Sequence, residues 1–219
     1  AHASSDRSMM LEVHMGPYLP NIDEQFEEAS PYGDAFGTNS ANLIGLHLDY
    51  QVFQGLGSLA IGAGIRYGAV KGNAIAADGS SATDETGLHL MPATLSLTYR
   101  FDWPSLRFGF PLVPYGKAGA SYMVWWMTNG RGEVANAYDP EGVGRVGMGG
   151  TMGWHAGGGV QILLDWFAPT MALVFDDESG VNNSYFFAEY MIHQVNDFGS
   201  DTSLELSDEA FSLGLMFEF

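Results

Sequence analysis

The chain has 219 residues, with 26 Asp and Glu against 8 Lys and Arg, for a formal charge of −18. That balance excludes a nucleic-acid binder held by phosphate contacts, and the lack of cysteine excludes disulfides, thiol nucleophiles, thiolate metal sites and cysteine-linked lipid anchors. At 46% hydrophobic and 16% charged, it is too apolar for a disordered acidic chain and poorer in charge than the roughly 25% of soluble domains.

No stretch approaches the ~20 apolar residues of a membrane-spanning helix. The opening Ala1-His2-Ala3-Ser4-Ser5 reads either as the small-residue flank of a removed secretory signal or as an ordinary frayed end, and residues 1–7 are assigned to an N-terminal tail. From there a period of two takes over, the mark of strands.

Eight runs carry the pattern, at about 8–18, 41–54, 58–71, 88–101, 111–127, 151–164, 184–194 and 203–219. The first sets Met9, Leu11, Val13 and Met15 against Glu12, His14 and Gly16. The second sets Ile44, Leu46, Leu48 and Tyr50 against Gly45, His47 and Asp49, and the third Ile61, Ile65 and Tyr67 against Gly62, Gly64 and Arg66. In the fourth, Leu95, Leu97 and Tyr99 oppose Thr94, Ser96 and Arg100; in the fifth, Ala118, Ala120 and Tyr122 oppose Lys117, Gly119 and Ser121. The sixth alternates Trp154 and Val160 with His155 and Gly159, the seventh Phe186 and Ala188 with Glu189, and the last Phe211, Leu213 and Leu215 with Ser212, Gly214 and Glu218.

A soluble sandwich would also alternate. Here, however, the apolar faces are uncharged and long enough to cross a bilayer as tilted strands of ~9–11 residues. The opposite faces hold Gly with isolated ions, which suits a narrow lumen filled by side chains. The expected fold is a single all-β domain over 1–219: a transmembrane, antiparallel, up-and-down barrel of eight strands. Segments 19–40, 72–87, 128–150 and 195–202 then lie outside, and 55–57, 102–110 and 165–183 lie on the periplasmic side with both termini. Within 165–183, Ala172, Leu173 and Phe175 followed by three acidic residues and Gly180 predict a short periplasmic helix. Aromatic girdles are expected from Trp103, Trp166, Phe101 and Phe219 at the inner interface and from Tyr18, Trp125, Trp126 and Trp154 at the outer one.

The inward faces gather Glu12, Asp49, Arg66, Arg100, Lys117 and Glu189, and buried ions must pair. A luminal ion-pair network is expected, for instance Lys117 and Arg100 with Glu189, and it would block the pore. His47 and Asp49, two apart on one face, have the chemistry of a general base, yet no Ser/His/Asp spacing supports an enzyme. No HExxH or close His pair marks a metal site, and the acidic residues Asp23, Glu24, Glu27, Glu28 and Asp34 lack calcium-loop spacing. No metal or cofactor is expected; the acidic loop reads as solvated surface, bridged by cations to lipopolysaccharide. The Gly-rich 142–150 reads as a flexible outer loop. Pro17 and Pro92, expected near outer strand ends, read as strand termini, or as a weak seam through which an apolar ligand leaves sideways.

The ending FSLGLMFEF, through Gly214, Phe217 and Phe219, resembles the C-terminal recognition signal of bacterial outer-membrane barrels, which implies insertion by the barrel assembly machinery of a Gram-negative envelope. MGPYLPNID at 15–23, PLVPYGKAGASYMVWW at 111–126 and LLDWFAPTMALVFDDESGVNNSYFFAEY at 163–190 resemble a functionally uncharacterised family of small barrels from myxobacteria and relatives. More distantly, the design is similar to outer-membrane-protein-W-like barrels, thought to pass small apolar molecules sideways into the membrane. Neither resemblance assigns a functional residue. The sequence thus favours a filled barrel with a structural, surface or scaffolding role and contacts to outer-membrane lipids, lipopolysaccharide and other envelope proteins. The alternative is a transport barrel with an apolar pocket rimmed by Tyr18, Trp125 and Trp126; a third, an enzyme at His47 and Asp49, has the least support.

Overall fold

The computed structural model describes residues 8–75, 81–138, 144–166, 180–200 and 202–219. The N-terminal tail 1–7 lies outside them, as does most of the segment assigned to a periplasmic helix, from 167 to 179. The strands are β1 (Met9–Tyr18), β2 (Ala41–Gln54), β3 (Ser58–Ile75), β4 (Ser81–Arg100), β5 (Leu112–Thr128), β6 (Asn136–Tyr138), β7 (Gly144–Val146), β8 (Met148–Leu163), β9 (Asn183–Val195) and β10 (Asp208–Glu218). Eight of them close into one antiparallel barrel in the order β1-β10-β9-β8-β5-β4-β3-β2; β6 and β7 form a separate ribbon. Closure sets Leu11 opposite Phe217 and Met15 opposite Leu213. At its foot the Ser8 N–H donates to the Phe219 carbonyl at 2.9 Å and the Phe219 N–H to that of Met9 at 2.8 Å.

The period-two faces separate as their chemistry requires. Ile44, Leu46, Leu48, Ile61, Ile65, Leu95, Leu97, Phe211 and Leu213 point outward, each between 47% and 65% exposed. A belt of this kind is unfavourable in water, at about 25 cal/mol per Å². In lipid it is stable, because closure leaves no unpaired strand edge at that depth. Glycines face inward where the wall is tight: a Cβ on Gly119 would stand 1.9 Å from the Leu95 carbonyl oxygen, and one on Gly153 equally close to that of Gln194.

Several local expectations change. β4 starts at Ser81 instead of 88 and β3 reaches Ile75, so this hairpin extends past the apolar belt; backbone pairing such as Asn73 with Glu85 carries it there without apolar faces. The Gly-rich 142–150 is not a free loop, since it supplies β7 and the start of β8. The inner connection 102–110 holds a short helix (Trp103–Phe108) ended by left-handed Gly109, and Leu164–Trp166 forms a 3₁₀ turn.

The prolines divide. Pro17 is the penultimate residue of β1, beyond the last β1–β10 pair at Met15. Pro92 is not at a strand end but inside β4 and buried. The β3–β4 ladder pairs Ile65 with Ala93 and resumes at Gly68 with Leu90, leaving Arg66 and Tyr67 unpaired beside Met91 and Pro92. A proline has no N–H to give the ladder, and the break falls where one is missing.

Candidate functional site

The lumen is built in three layers. In the layer nearest the termini, Arg100 is completely enclosed. Its Nε donates to Gln161 Oε1 at 2.9 Å, its Nη1 donates to Glu218 Oε1 at 3.1 Å, and its guanidinium lies 5.2 Å above the Tyr185 ring. Asn183 donates to the other Glu218 oxygen at 2.7 Å. Met10, Tyr115, Phe187 and Met216 pack around this layer.

The middle layer is ionic. Lys117 Nζ on β5 donates to Glu12 Oε2 on β1 at 2.6 Å, straight across the lumen, with 5% and 1% of the side chains exposed. Glu189 accepts from the Tyr115 hydroxyl at 2.9 Å and has His14 at 3.5 Å. Asp49 lies 3.4 Å from His47 and accepts from Thr98 at 3.2 Å. Above them, His155 is held on both ring nitrogens by the hydroxyls of Ser96 (2.9 Å) and Ser121 (2.8 Å). Arg66 donates to Nε2 of His193 at 3.2 Å, which requires a neutral imidazole there.

The third layer is an apolar plug. Tyr18, Leu43, Val70, Leu88, Leu90, Met123 and Val195 line the outer lumen, and Ile22, Tyr32 and Phe36 drop into it from the 19–40 loop. That loop folds as a 3₁₀ turn (Ile22–Gln25) followed by a short helix at Pro31–Phe36. Asp23 brackets the helix start by accepting from the backbone N–H groups of Tyr32 at 2.7 Å and Gly33 at 2.9 Å. The Tyr32 hydroxyl donates to the Asn39 carbonyl at 2.6 Å; burial, aided by Asp208 and Asp23, pushes the phenol up to about 12.

All six expected network residues, Glu12, Asp49, Arg66, Arg100, Lys117 and Glu189, face the lumen and are buried. Their partners differ from those expected. Glu189 takes Tyr115 and His14, whereas Lys117 pairs with Glu12 and Arg100 with Glu218, a residue outside the expected network. Of the expected rim, Tyr18 and Trp125 meet in the plug and so leave the outer girdle, while Trp126 points the opposite way, onto the outer face. The space left between His14, His47, Arg66, His155 and Glu189 is about 20 Å³, room for about one water. That space beside His47 is too small for a substrate. Among the described residues no His, Asp or Glu group is arranged to hold a metal ion; Asp23, in the loop expected to be solvated, spends its carboxylate on the helix start.

No protein-family model matches this chain, and no curated protein matches it in sequence. Solved barrels match in shape. The outer membrane protein OprG from Pseudomonas aeruginosa is 11% identical over 97% of this chain and 96% of that one, with a TM-score of 0.55. Neisserial surface protein A is 12% identical over the whole of both chains, with a TM-score of 0.49. The N-terminal barrel domain of Pseudomonas aeruginosa OprF is 14% identical over 97% and 98%, with a TM-score of 0.46. At such identities the likeness is one of fold. The closed eight-stranded wall with its apolar belt is the fold of small transmembrane β-barrels such as OprG.

Proposed function

We propose that this protein is a closed structural barrel of a Gram-negative outer membrane, akin to the small barrels of myxobacteria, that works through its rims and conducts nothing through its lumen. The observation that carries this reading is the stacked filling of the lumen: an ionic floor, an Asp/Glu/Lys/His middle and an apolar plug, with about 20 Å³ left between. A pore held open for solute would not bury Arg100 against Glu218 and Lys117 against Glu12, because each buried ion costs several kcal/mol unless paired. It is not an enzyme in this reading, and no cofactor takes part. The acidic outer loop and the aromatic inner helix, with Trp103 and Phe108 exposed, are the contact surfaces for lipopolysaccharide and envelope partners. Strand β10, bearing Gly214 and Phe217 and followed by Phe219, is the element read by the assembly machinery. Planar-bilayer recording tests the proposal: the inserted barrel gives no steady current, and a stable cation-selective conductance overturns it.

A second reading, transport of small apolar molecules with sideways release, draws support from the break in the β3–β4 ladder beside Pro92. It requires the plug to move. Under it, proteoliposomes take up an apolar fluorophore faster with the barrel than without, and Pro92→Ala abolishes the difference. Equal uptake with and without protein disposes of it.

A further inference from the structure

The outward face of β3, β4 and β5 changes chemistry at one level. Below it stand Ile61, Ile65, Leu95 and Leu97 of the lipid belt; above it stand Lys71, Glu85 and Asn129. At the change, Tyr67, His89 and Trp126 from three adjacent strands form one stack. The His89 and Trp126 rings lie 5.0 Å apart and 4° from parallel, and Tyr67 stacks on Trp126 at 6.0 Å and 18°. His89 cannot turn away. Its Nδ1 meets the Tyr67 hydroxyl at 2.8 Å, and its Nε2 meets the Thr128 hydroxyl at 3.2 Å. The stack walls a cleft of about 480 Å³ that also takes in Lys71, Glu85, Thr86 and Asn129.

Charge marks the same place. Lys71, Arg131 and Arg145 are the basic residues of the outer side, and the loops 19–40 and 195–207 hold none. Lys71 lines the aromatic cleft. Arg131 lines an adjoining cavity of about 570 Å³ that shares Glu85, Thr86, Asn129 and Gly130 with it. Arg145 lies on β7, the neighbouring ribbon. Asp84 and Glu85 line the same cavities, so the cations here offset local carboxylates, and in a chain of charge −18 this is where an anion meets the least repulsion.

We propose that this cleft binds the phosphorylated amino-sugar headgroup of an outer-leaflet glycolipid. The C–H face of the sugar packs on the Tyr67–His89–Trp126 platform, the phosphate turns toward Lys71 and Arg131, and the acyl chains run down past Met91 and Val124. A free sugar phosphate would need no platform at the lipid boundary, and a plain phospholipid would have no use for one so flat. Aromatic rings with a polar tip are suited to this depth, and the hydrogen bonds of His89 pre-set the platform, so little ordering is left to binding.

The inference rests on the membrane placement proposed above, and the test separates the two. The full barrel is refolded into vesicles, and insertion is scored by protease protection. Tryptophan fluorescence and native mass spectrometry then follow titration with bis-phosphorylated lipid A, with phosphatidylglycerol and with inorganic phosphate. Lipid A is expected to bind at least ten times more tightly than phosphatidylglycerol, with phosphate failing to compete. Trp126→Ala and Lys71→Gln should each weaken it tenfold or more, and Trp154→Ala, a change at an outward tryptophan on β8, should not. A barrel that inserts but binds both lipids alike, loses nothing on Trp126→Ala and Lys71→Gln, or yields to phosphate overturns this inference alone. A chain that does not insert overturns both.

Discussion

Deleting the Lys117 ammonium should be the most damaging single charge change in the lumen. Lys117 touches Glu12 at 2.6 Å, and the charges of Glu189 and Asp49 also bear on it. Lys117→Met leaves Glu12, Asp49 and Glu189, each 4% exposed or less, without the cation that bears on all three. Breaking a buried pair from one side costs about 3–5 kcal/mol, and the lost attraction for Asp49 and Glu189, which keep their hydrogen bonds to Thr98 and Tyr115, places this change at the upper end. Glu12→Gln is milder: the ammonium keeps Glu189 and Asp49, and the amide oxygen still accepts, so the cost is that of a weakened hydrogen bond, about 1–2 kcal/mol. Replacing both by methionine removes the desolvation penalty of that pair along with its attraction and should recover part of the loss, with Glu189 and Asp49 still short of a cation. Equilibrium urea unfolding from lipid vesicles, followed by tryptophan fluorescence, measures all three. The reasoning fails if Lys117→Met costs no more than Glu12→Gln, or if the double variant is as unstable as the worse single one.

Gly119→Ala should lower the folded fraction on heat-modifiable gels and cost about 1–3 kcal/mol as overpacking, because its Cβ meets the Leu95 carbonyl at 1.9 Å; Ala120→Val, on the outward side of the same strand, should not. Asp23→Ala removes the acceptor for the Tyr32 and Gly33 N–H groups and should cost the loop about 1–3 kcal/mol, seen as faster hydrogen exchange over residues 31–36 with the barrel strands unchanged. Tyr32 gives the loop a pH dependence of known sign. Its phenol ionises near 10 when free and near 12 when docked, so the docked loop is fully stable below pH 10 and loses stability as pH climbs toward 12. Exchange over 31–36 should accelerate in that window, and Tyr32→Phe should flatten the response.

The wall was legible because a strand in a membrane barrel has one rule, outward apolar and inward small or polar, that each residue obeys separately. Leu46, His47, Leu48 and Asp49 announce their sides without knowledge of any neighbour. Pairing inside the lumen obeys no such local rule. Glu12 finds Lys117 across the lumen, between strands that are not neighbours in the sheet; the outcome depends on tilt and stagger, which alternation does not encode. Parity alone could have separated Trp125 from Trp126, because consecutive strand residues face opposite ways. The plug left no periodic trace: Ile22, Tyr32 and Phe36 are scattered through a loop whose carboxylates advertise solvent. The extension of β4 to Ser81 was hidden for the opposite reason, since strands above the belt are held by backbone pairing whatever their side chains.

The distribution of charge ties these features together. Three cations, Arg66, Arg100 and Lys117, are committed to the lumen beside the carboxylates of Glu12, Asp49, Glu189 and Glu218, so the interior is close to neutral. The large negative excess is therefore carried by the rims and loops, where water and counterions screen it. On the outer side cations offset it beside the aromatic stack, where Lys71 and Arg131 stand among Asp84 and Glu85. A barrel built only to be a stable wall has no need to gather its outer cations on one side, next to a rigid platform at the lipid boundary. That asymmetry is why the functional surface is to be sought outside the barrel wall, and why substitutions at Trp126 and Lys71, which leave the lumen intact, should separate function from folding.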